Sequence, residues 1–230
     1  MRDGKQFPVL DGVTLSLLEG ERFVLLGRSG CGKTTLLRCM GGFLHPDAGE
    51  ILLQGERVEK PAADRMMVFQ DFNQLFPWMT LKKNLTYAIK KANPLVTREE
   101  RERIAMEFLA AAGLSGFENQ YPAELSGGMK QRGALARALA VGPKLLLMDE
   151  PFSSLDYLSR MTARKTVLTM AEQTGCTVFL VTHDIDEAVE LGTRIGVFDI
   201  NTHKVTEVFV TSEYENKQVL ADKLKELLVS

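Results

Sequence analysis

Nine consecutive residues near the amino end have the types and order needed to hold a chain of phosphates. They are Gly27, Arg28, Ser29, Gly30, Cys31, Gly32, Lys33, Thr34 and Thr35. A glycine, four intervening residues and then Gly-Lys-Thr is the pattern of a loop whose backbone N–H groups converge on a nucleotide. The glycines let the backbone curl tightly around the ligand. Lys33 is placed to reach the β- and γ-phosphates, and the Thr34 hydroxyl to ligate Mg²⁺. Farther along, Asp149 and Glu150 end an apolar run, Leu145 to Met148. A carboxylate at that point can hold Mg²⁺, directly or through water, and its neighbour can polarise an attacking water. General-base help of that kind is worth about 10²–10⁴-fold. Gln70 closes another short apolar run and can reach a metal or a water through its amide. His183 also ends an apolar run, where, taken alone, a structural histidine is the commoner finding.

Ser126-Gly127-Gly128 is a different kind of feature. A serine N-cap followed by two glycines exposes backbone N–H groups at a helix start, which makes a second anion site. One chain carries one phosphate loop, so this second site has no nucleotide of its own. A two-fold dimer resolves that, each copy offering the site to its partner's nucleotide.

Elements must carry these residues to their places. Residues 23–26 read as a buried strand into the loop, and Thr34 opens a helix that Gly41-Gly42 stops. Residues 13–17 alternate like a strand. Residues 51–53 read as a strand into a Gln54-Gly55 turn, so an antiparallel patch is expected beside the nucleotide core. Residues 66–69 are a further strand. From Asp71 to about Leu139 the character turns helical. Thr97 and Glu100 form a capping-box pattern, predicting a helix that runs to about Ala112 before Gly113. The charges at 98–103 read as its solvated face. Ser126 caps a predicted helix over 129–140. Residues 145–148 and 177–181 are continuous apolar runs of the kind found in buried parallel strands. Residues 195–198 and 205–210 suggest a hairpin through Asn201-Thr202, and an amphipathic helix is expected over 214–228. The expected fold is α/β, a P-loop NTPase core of RecA-like type with an antiparallel β subdomain and an inserted α-helical subdomain. Residues 1–230 read as one domain, with a core lobe at 1–70 and 140–230 and a helical part at about 71–139.

Composition sets the outer limits. The chain has 230 residues, is 45% hydrophobic and carries a net charge of −2. That supports a sizeable core and argues against a nucleic-acid partner, which calls for a basic field. Cys31, Cys39 and Cys176 follow no spacing pattern, which points to a reducing compartment rather than a disulfide frame. No run approaches the roughly 20 apolar residues of a membrane span, and no signal peptide is evident, so a membrane role is expected to come through a partner.

Six motifs in order, the loop at 27–35, Gln70, Leu125-Ser126-Gly127-Gly128, Asp149-Glu150-Pro151, Ser153-Ser154-Leu155-Asp156 and Thr182-His183-Asp184, resemble the ATP-binding cassette (ABC) ATPases over nearly the whole chain. The resemblance implies ATP and Mg²⁺ as cofactors and ATP hydrolysis as the activity. It implies that His183 contacts the γ-phosphate, that Gln70 is a sensing residue, and that each signature at Ser126, Gly127 and Gly128 faces the partner's P-loop. Asp156 would then lie across the dimer interface. Leu75-Phe76-Pro77-Trp78 and the residues after His183 look most like ATPases of the nitrate, sulfonate and taurine importers. This implies a membrane permease docking near Trp78, an extracytoplasmic solute-binding protein acting indirectly, and a place on the cytoplasmic face of the membrane. The alternatives are a soluble ABC switch in DNA repair or translation, and an exporter ATPase. Arg28 stands where many relatives have Pro, and the signature continues Met129-Lys130 where Gln is usual. Phe7 is the aromatic left to stack on adenine, which suggests a shortened amino terminus or weak stacking.

Overall fold

A computed structural model describes residues 8–71 and 73–229, with the side chain of Val229 outside the description. Backbone contacts group the chain into two compact units, one of residues 1–61 and 179–230, the other of residues 62–178.

The first unit opens with residues 13–17, which do not form the expected strand. Val13, Leu15 and Leu17 are half-buried and Thr14 and Ser16 exposed, so the alternation does choose a face. Alternation alone supplies no ladder of backbone bonds, and the segment stays irregular. Strand β1 (Arg22–Gly27) is nearly fully buried and runs into the phosphate-loop residues, and helix α1 (Lys33–Met40) follows them. Gly42 ends α1 with φ 75°, and a Cβ there would fall 2.5 Å from the backbone carbon of Lys60. The antiparallel patch is small: β2 (Leu52–Leu53) pairs with β3 (Glu56–Arg57). Gln54 and Gly55 join them with φ 52° and 83°, the paired left-handed conformation of a tight hairpin turn.

The second unit begins with β4 (Arg65–Val68), followed by α2 (Leu81–Ala92) and α3 (Arg98–Ala111). Thr80 caps α2 through Lys83 N, and Leu81, Leu85 and Ile89 bury one stripe at four-residue spacing. Thr97 caps α3 by accepting from Glu100 N at 3.2 Å. The Glu100 side chain bonds to Arg103. That bond holds the Glu100 carboxyl below its usual range. The charge run is the solvated face that the sequence predicts, laced by Arg98–Glu102 and Arg103–Glu107 pairs. Helix α4 (Gly127–Leu139) starts behind Ser126. Strand β5 (Leu145–Asp149) is buried at every position and pairs parallel with β4, Met66 opposite Leu146 and Val68 opposite Met148. Helix α5 (Tyr157–Thr174) ends at Gly175, φ 64°.

Strand β6 (Thr177–Thr182), buried throughout, carries the chain back into the first unit. There it neighbours β1, with Phe23 stacked on Phe179 at 5.6 Å. Helix α6 (Ile185–Leu191) follows, then β7 (Arg194–Asp199), which pairs parallel with β1. The hairpin is present: β7 turns into antiparallel β8 (Lys204–Val210). Asp199 shapes the turn by accepting from Asn201 N and Thr202 Oγ1, both at 2.9 Å. Helix α7 (Lys217–Val229) follows, starting three residues later than expected, after a tighter turn at 211–213 and an irregular stretch at 214–216. Among the described residues no helix is long and apolar enough to cross a membrane.

Candidate active site

Each unit brings together its own share of the candidate residues. In the first, β1 delivers Gly27 to its carboxyl end, and Arg28, Ser29 and Gly30 sit exposed above it. Gly30 and Gly32 have φ 81° and 115°, conformations that a side chain resists. A Cβ on Gly32 would also lie 2.7 Å from the Val9 carbonyl, so the loop closes against the 9–10 segment. Lys33 is 4% exposed, and its ammonium donates to the carbonyls of Gly27 at 2.7 Å and Arg28 at 2.9 Å. The lysine thus ties the loop across its own mouth. Helix α1 begins at Gly32 with no side-chain cap and no acidic residue in its first turn. Its leading N–H groups and the positive end of its dipole are therefore offered to an anion. Thr34 and Thr35 are half-buried on that turn.

His183 is exposed just past β6, the strand beside β1. Its backbone is set by buried groups that the motif reading missed. The Thr182 hydroxyl donates to Glu187 Oε2 at 2.7 Å and accepts from Asp184 N at 3.0 Å. Asp184 in turn caps α6 through Glu187 N. An Asp followed three residues later by Glu is a visible helix-start signal, and it sits directly after the histidine.

In the second unit, Asp149 is the last residue of β5 and is 8% exposed. Glu150 follows with φ 42°, a left-handed backbone on a residue with a Cβ. Such strain persists where the surroundings impose it, and it gathers at functional sites. Here Ser153 imposes it, donating to the Glu150 carbonyl from Oγ at 3.0 Å and from N at 3.3 Å. Gln70, exposed after β4, donates from Nε2 to the same Ser153 Oγ at 3.2 Å. The amide and the second carboxylate residue are therefore linked through one hydroxyl. Gln74 holds the segment from the other side. Its amide accepts from Phe69 N and donates to Phe69 O, each at 2.9 Å, as a neighbouring strand would.

Ser126 is exposed and caps α4 by accepting from Met129 N at 3.3 Å, and the first turn of α4 also lacks acidic residues. Gly128 is buried because α5 crosses it: a Cβ there would meet Ser159 Oγ at 2.7 Å. Asp156 is exposed and caps α5 through Ser159 N at 3.0 Å. Bonds from the Ser159 hydroxyl and N–H hold its carboxyl below the usual carboxylate range.

The run after Gln70 divides. Leu75 is buried in the second unit, Phe76 half-buried and Trp78 70% exposed. Phe76 contacts Trp78 and Tyr87 at 5.6 and 5.5 Å, under the Arg137 guanidinium at 5.1 Å. Buried Asn84 pins this loop with bonds to Phe76 N, Phe76 O, Met79 O and Thr80 O. Phe7 lies outside the described residues.

The oxygens of Thr34 and Asp149 are hard ligands that suit Mg²⁺. Among the described residues no group of three His, Cys, Asp or Glu could cage a metal.

Comparison with known proteins gives this architecture its class. Residues 10–153 match the ABC transporter family model. The chain belongs to that family, whose members bind and hydrolyse ATP, and its fold is the P-loop NTPase α/β fold with a mixed sheet. It is 42% identical over 206 residues to an uncharacterized ABC transporter ATP-binding protein of Methanocaldococcus jannaschii, covering 90% of this chain and 76% of that one. It is 43% identical to the nitrate import ATP-binding protein NrtC of Synechococcus elongatus, a match covering 84% of this chain but 29% of NrtC. Among solved structures it resembles the dimeric post-hydrolysis state of the ATP-binding cassette MJ0796 bound to ADP and Pi. The TM-score is 0.75 at 34% identity, over 88% of this chain and 90% of that one.

Proposed function

We propose that this chain is the ATP-hydrolysing subunit of an ABC importer, working as a homodimer against a membrane permease at the cytoplasmic face, with a solute-binding protein on the other side. One observation carries the reading. Two helix starts, those of α1 and α4, are rich in glycine and lack first-turn acids, while the chain has one phosphate loop. The second start is accounted for when it meets the γ-phosphate held by another copy, and the dimeric MJ0796 cassette is a relative that assembles in pairs.

In this reading the amides of 27–35 hold the phosphates, and Lys33 exchanges its two carbonyl bonds for phosphate oxygens. Thr34, Asp149 and Gln70 are the residues that would hold Mg²⁺, whose chemistry is to neutralise charge developing on the phosphates. Glu150 takes the proton of the attacking water as general base, and His183 orients that water. Ser126, Gly127 and Gly128 offer N–H groups and a hydroxyl to the partner's γ-phosphate, with Asp156 nearby. Exposed Trp78 on half-buried Phe76 is the docking point for the permease. The similarity to NrtC favours an importer, and the transported solute is the part that this subunit does not touch.

The test is assembly state. With ATP, Glu150→Gln should form a two-fold dimer, and adding Ser126→Arg should abolish it while each monomer still binds ATP. ADP should not support the dimer, because ligand-driven closure needs differential affinity between states. Light scattering that shows a dimer with ADP, or one that survives Ser126→Arg, overturns the arrangement.

A further inference from the structure

Four motif-bearing elements of the second unit converge on one small cavity. Its walls include Val68 before the Gln70 segment, Met148 just ahead of Asp149, Phe152 after Glu150, Val167 of α5, and Gln131 and Arg132 of α4. The cavity measures about 10 Å³. Space of that size accepts about one water molecule when polar partners are present.

Polar partners are present. Gln131 is 3% exposed, and among the described residues both Oε1 and Nε2 of its buried amide have no hydrogen-bond partner. Arg132 Nε is likewise buried and unpartnered. Leaving such groups unsatisfied in an interior is costly, so native proteins pair them with protein or with ordered water. An apolar side chain of similar length would fill the place at no such cost. That makes an amide here, between an otherwise apolar wall of Val, Met and Phe, a feature calling for a ligand.

We infer that this cavity binds one ordered internal water, which accepts from Arg132 Nε and donates to Gln131 Oε1, and that Gln131 is through it a positioning residue for hydrolysis. By filling the space between α4 and the Met148 and Phe152 walls, the water keeps the first half of α4, which begins at the Ser126 signature, packed at a set distance from the strand that ends at Asp149. Gln131 touches neither nucleotide nor metal. Its effect is on how the signature helix and the carboxylate strand are held relative to each other, and misplacement of about 1 Å can cost on the order of a hundredfold in rate.

The experiment uses the full chain and two variants. Gln131→Leu keeps the volume and removes both polar atoms, a change that is often neutral for stability. Gln131→Glu keeps an oxygen acceptor beside Arg132. A high-resolution crystal structure of the unsubstituted chain should show one water peak within hydrogen-bond reach of Gln131 and Arg132, absent in Gln131→Leu. ATPase kcat should fall about tenfold in Gln131→Leu, with KM for ATP and thermal midpoint unchanged, and Gln131→Glu should recover most of it. An amide bonded directly to protein groups, with no water, overturns the site. A kcat equal to that of the parent chain, or one that falls only together with thermal stability, overturns the positioning role. The kinetic half rests on the ATPase reading, whose own failure would appear separately as unaltered ATP affinity in Lys33→Ala.

Discussion

Replacing Glu150 by glycine should raise stability while removing hydrolysis. Glu150 has φ 42°. Holding a residue with a Cβ in the left-handed region costs about 1–2 kcal/mol. Glycine removes that cost, but its greater freedom in the unfolded chain returns about 0.5–1 kcal/mol. The net expected gain is therefore slightly under about 1 kcal/mol. The bonds that impose the conformation survive, because Ser153 N and Oγ reach the carbonyl of residue 150 and not its side chain. Glu150→Gln is the control: it keeps the Cβ and the strain while losing the base. Both variants should lose about 10²–10⁴-fold in hydrolysis. Urea unfolding without nucleotide measures the difference, provided that two probes give coincident transitions with equal slopes. A glycine variant less stable than the glutamine variant would refute the strain argument. Hydrolysis within about twofold of the parent in Glu150→Gln would refute the base role.

Lys33→Ala removes the ammonium that would pair with the β- and γ-phosphates, a charge-assisted contact of about 1.5–3 kcal/mol, so ATP affinity measured by equilibrium binding should fall at least about tenfold with the fold intact. Trp78→Ala should weaken co-purification with the permease by about 2 kcal/mol, the loss of one exposed aromatic anchor, while basal ATPase stays near that of the parent. Unaffected co-purification would make the Trp78 run part of the fold alone. Burial pushes the Cys176 thiol up to about 11 from an ordinary value of 9.0. Its contribution to stability is thus fully present below pH 9.0 and is lost as the pH rises to about 11. Alkaline titration of unfolding free energy should show a shallower decline in Cys176→Ala over that window, and equal slopes would contradict the assignment.

Local signals carried much of the chemistry into view. Thr97 and Ser126 each accept from the N–H three residues on, as their helix-start patterns predict, and Asp184 does the same at a helix start that was not predicted. Helices α2 and α5 carry equally plain signals at Thr80, Asp156 and Gly175 that a reading organised around motifs passes over. The segment 13–17 shows the limit of pattern. Its alternation selected a buried face, but a strand exists only when another backbone supplies the ladder. The links that shape the candidate site were invisible for a related reason. Gln70 meets Ser153 across 83 positions, and nothing local to either residue encodes that bond. Gln74 was within reach of sequence reasoning only as a polar residue in a loop, since its strand-like grip on Phe69 depends on the loop's path.

Ser159 has consequences for how this sequence can drift. Its N–H is held by Asp156, and its hydroxyl occupies the space where a side chain on Gly128 would go. Positions 128 and 159 are therefore epistatic: Gly128→Ala is expected to be tolerated once Ser159→Gly is in place and penalised in the present sequence. A path that first enlarges residue 159 closes off every substitution at 128, while one that first shrinks it opens that position. A deep mutational library scored for ATPase activity would show this as order dependence, with Gly128→Ala recovered in combination with Ser159→Gly and depleted alone.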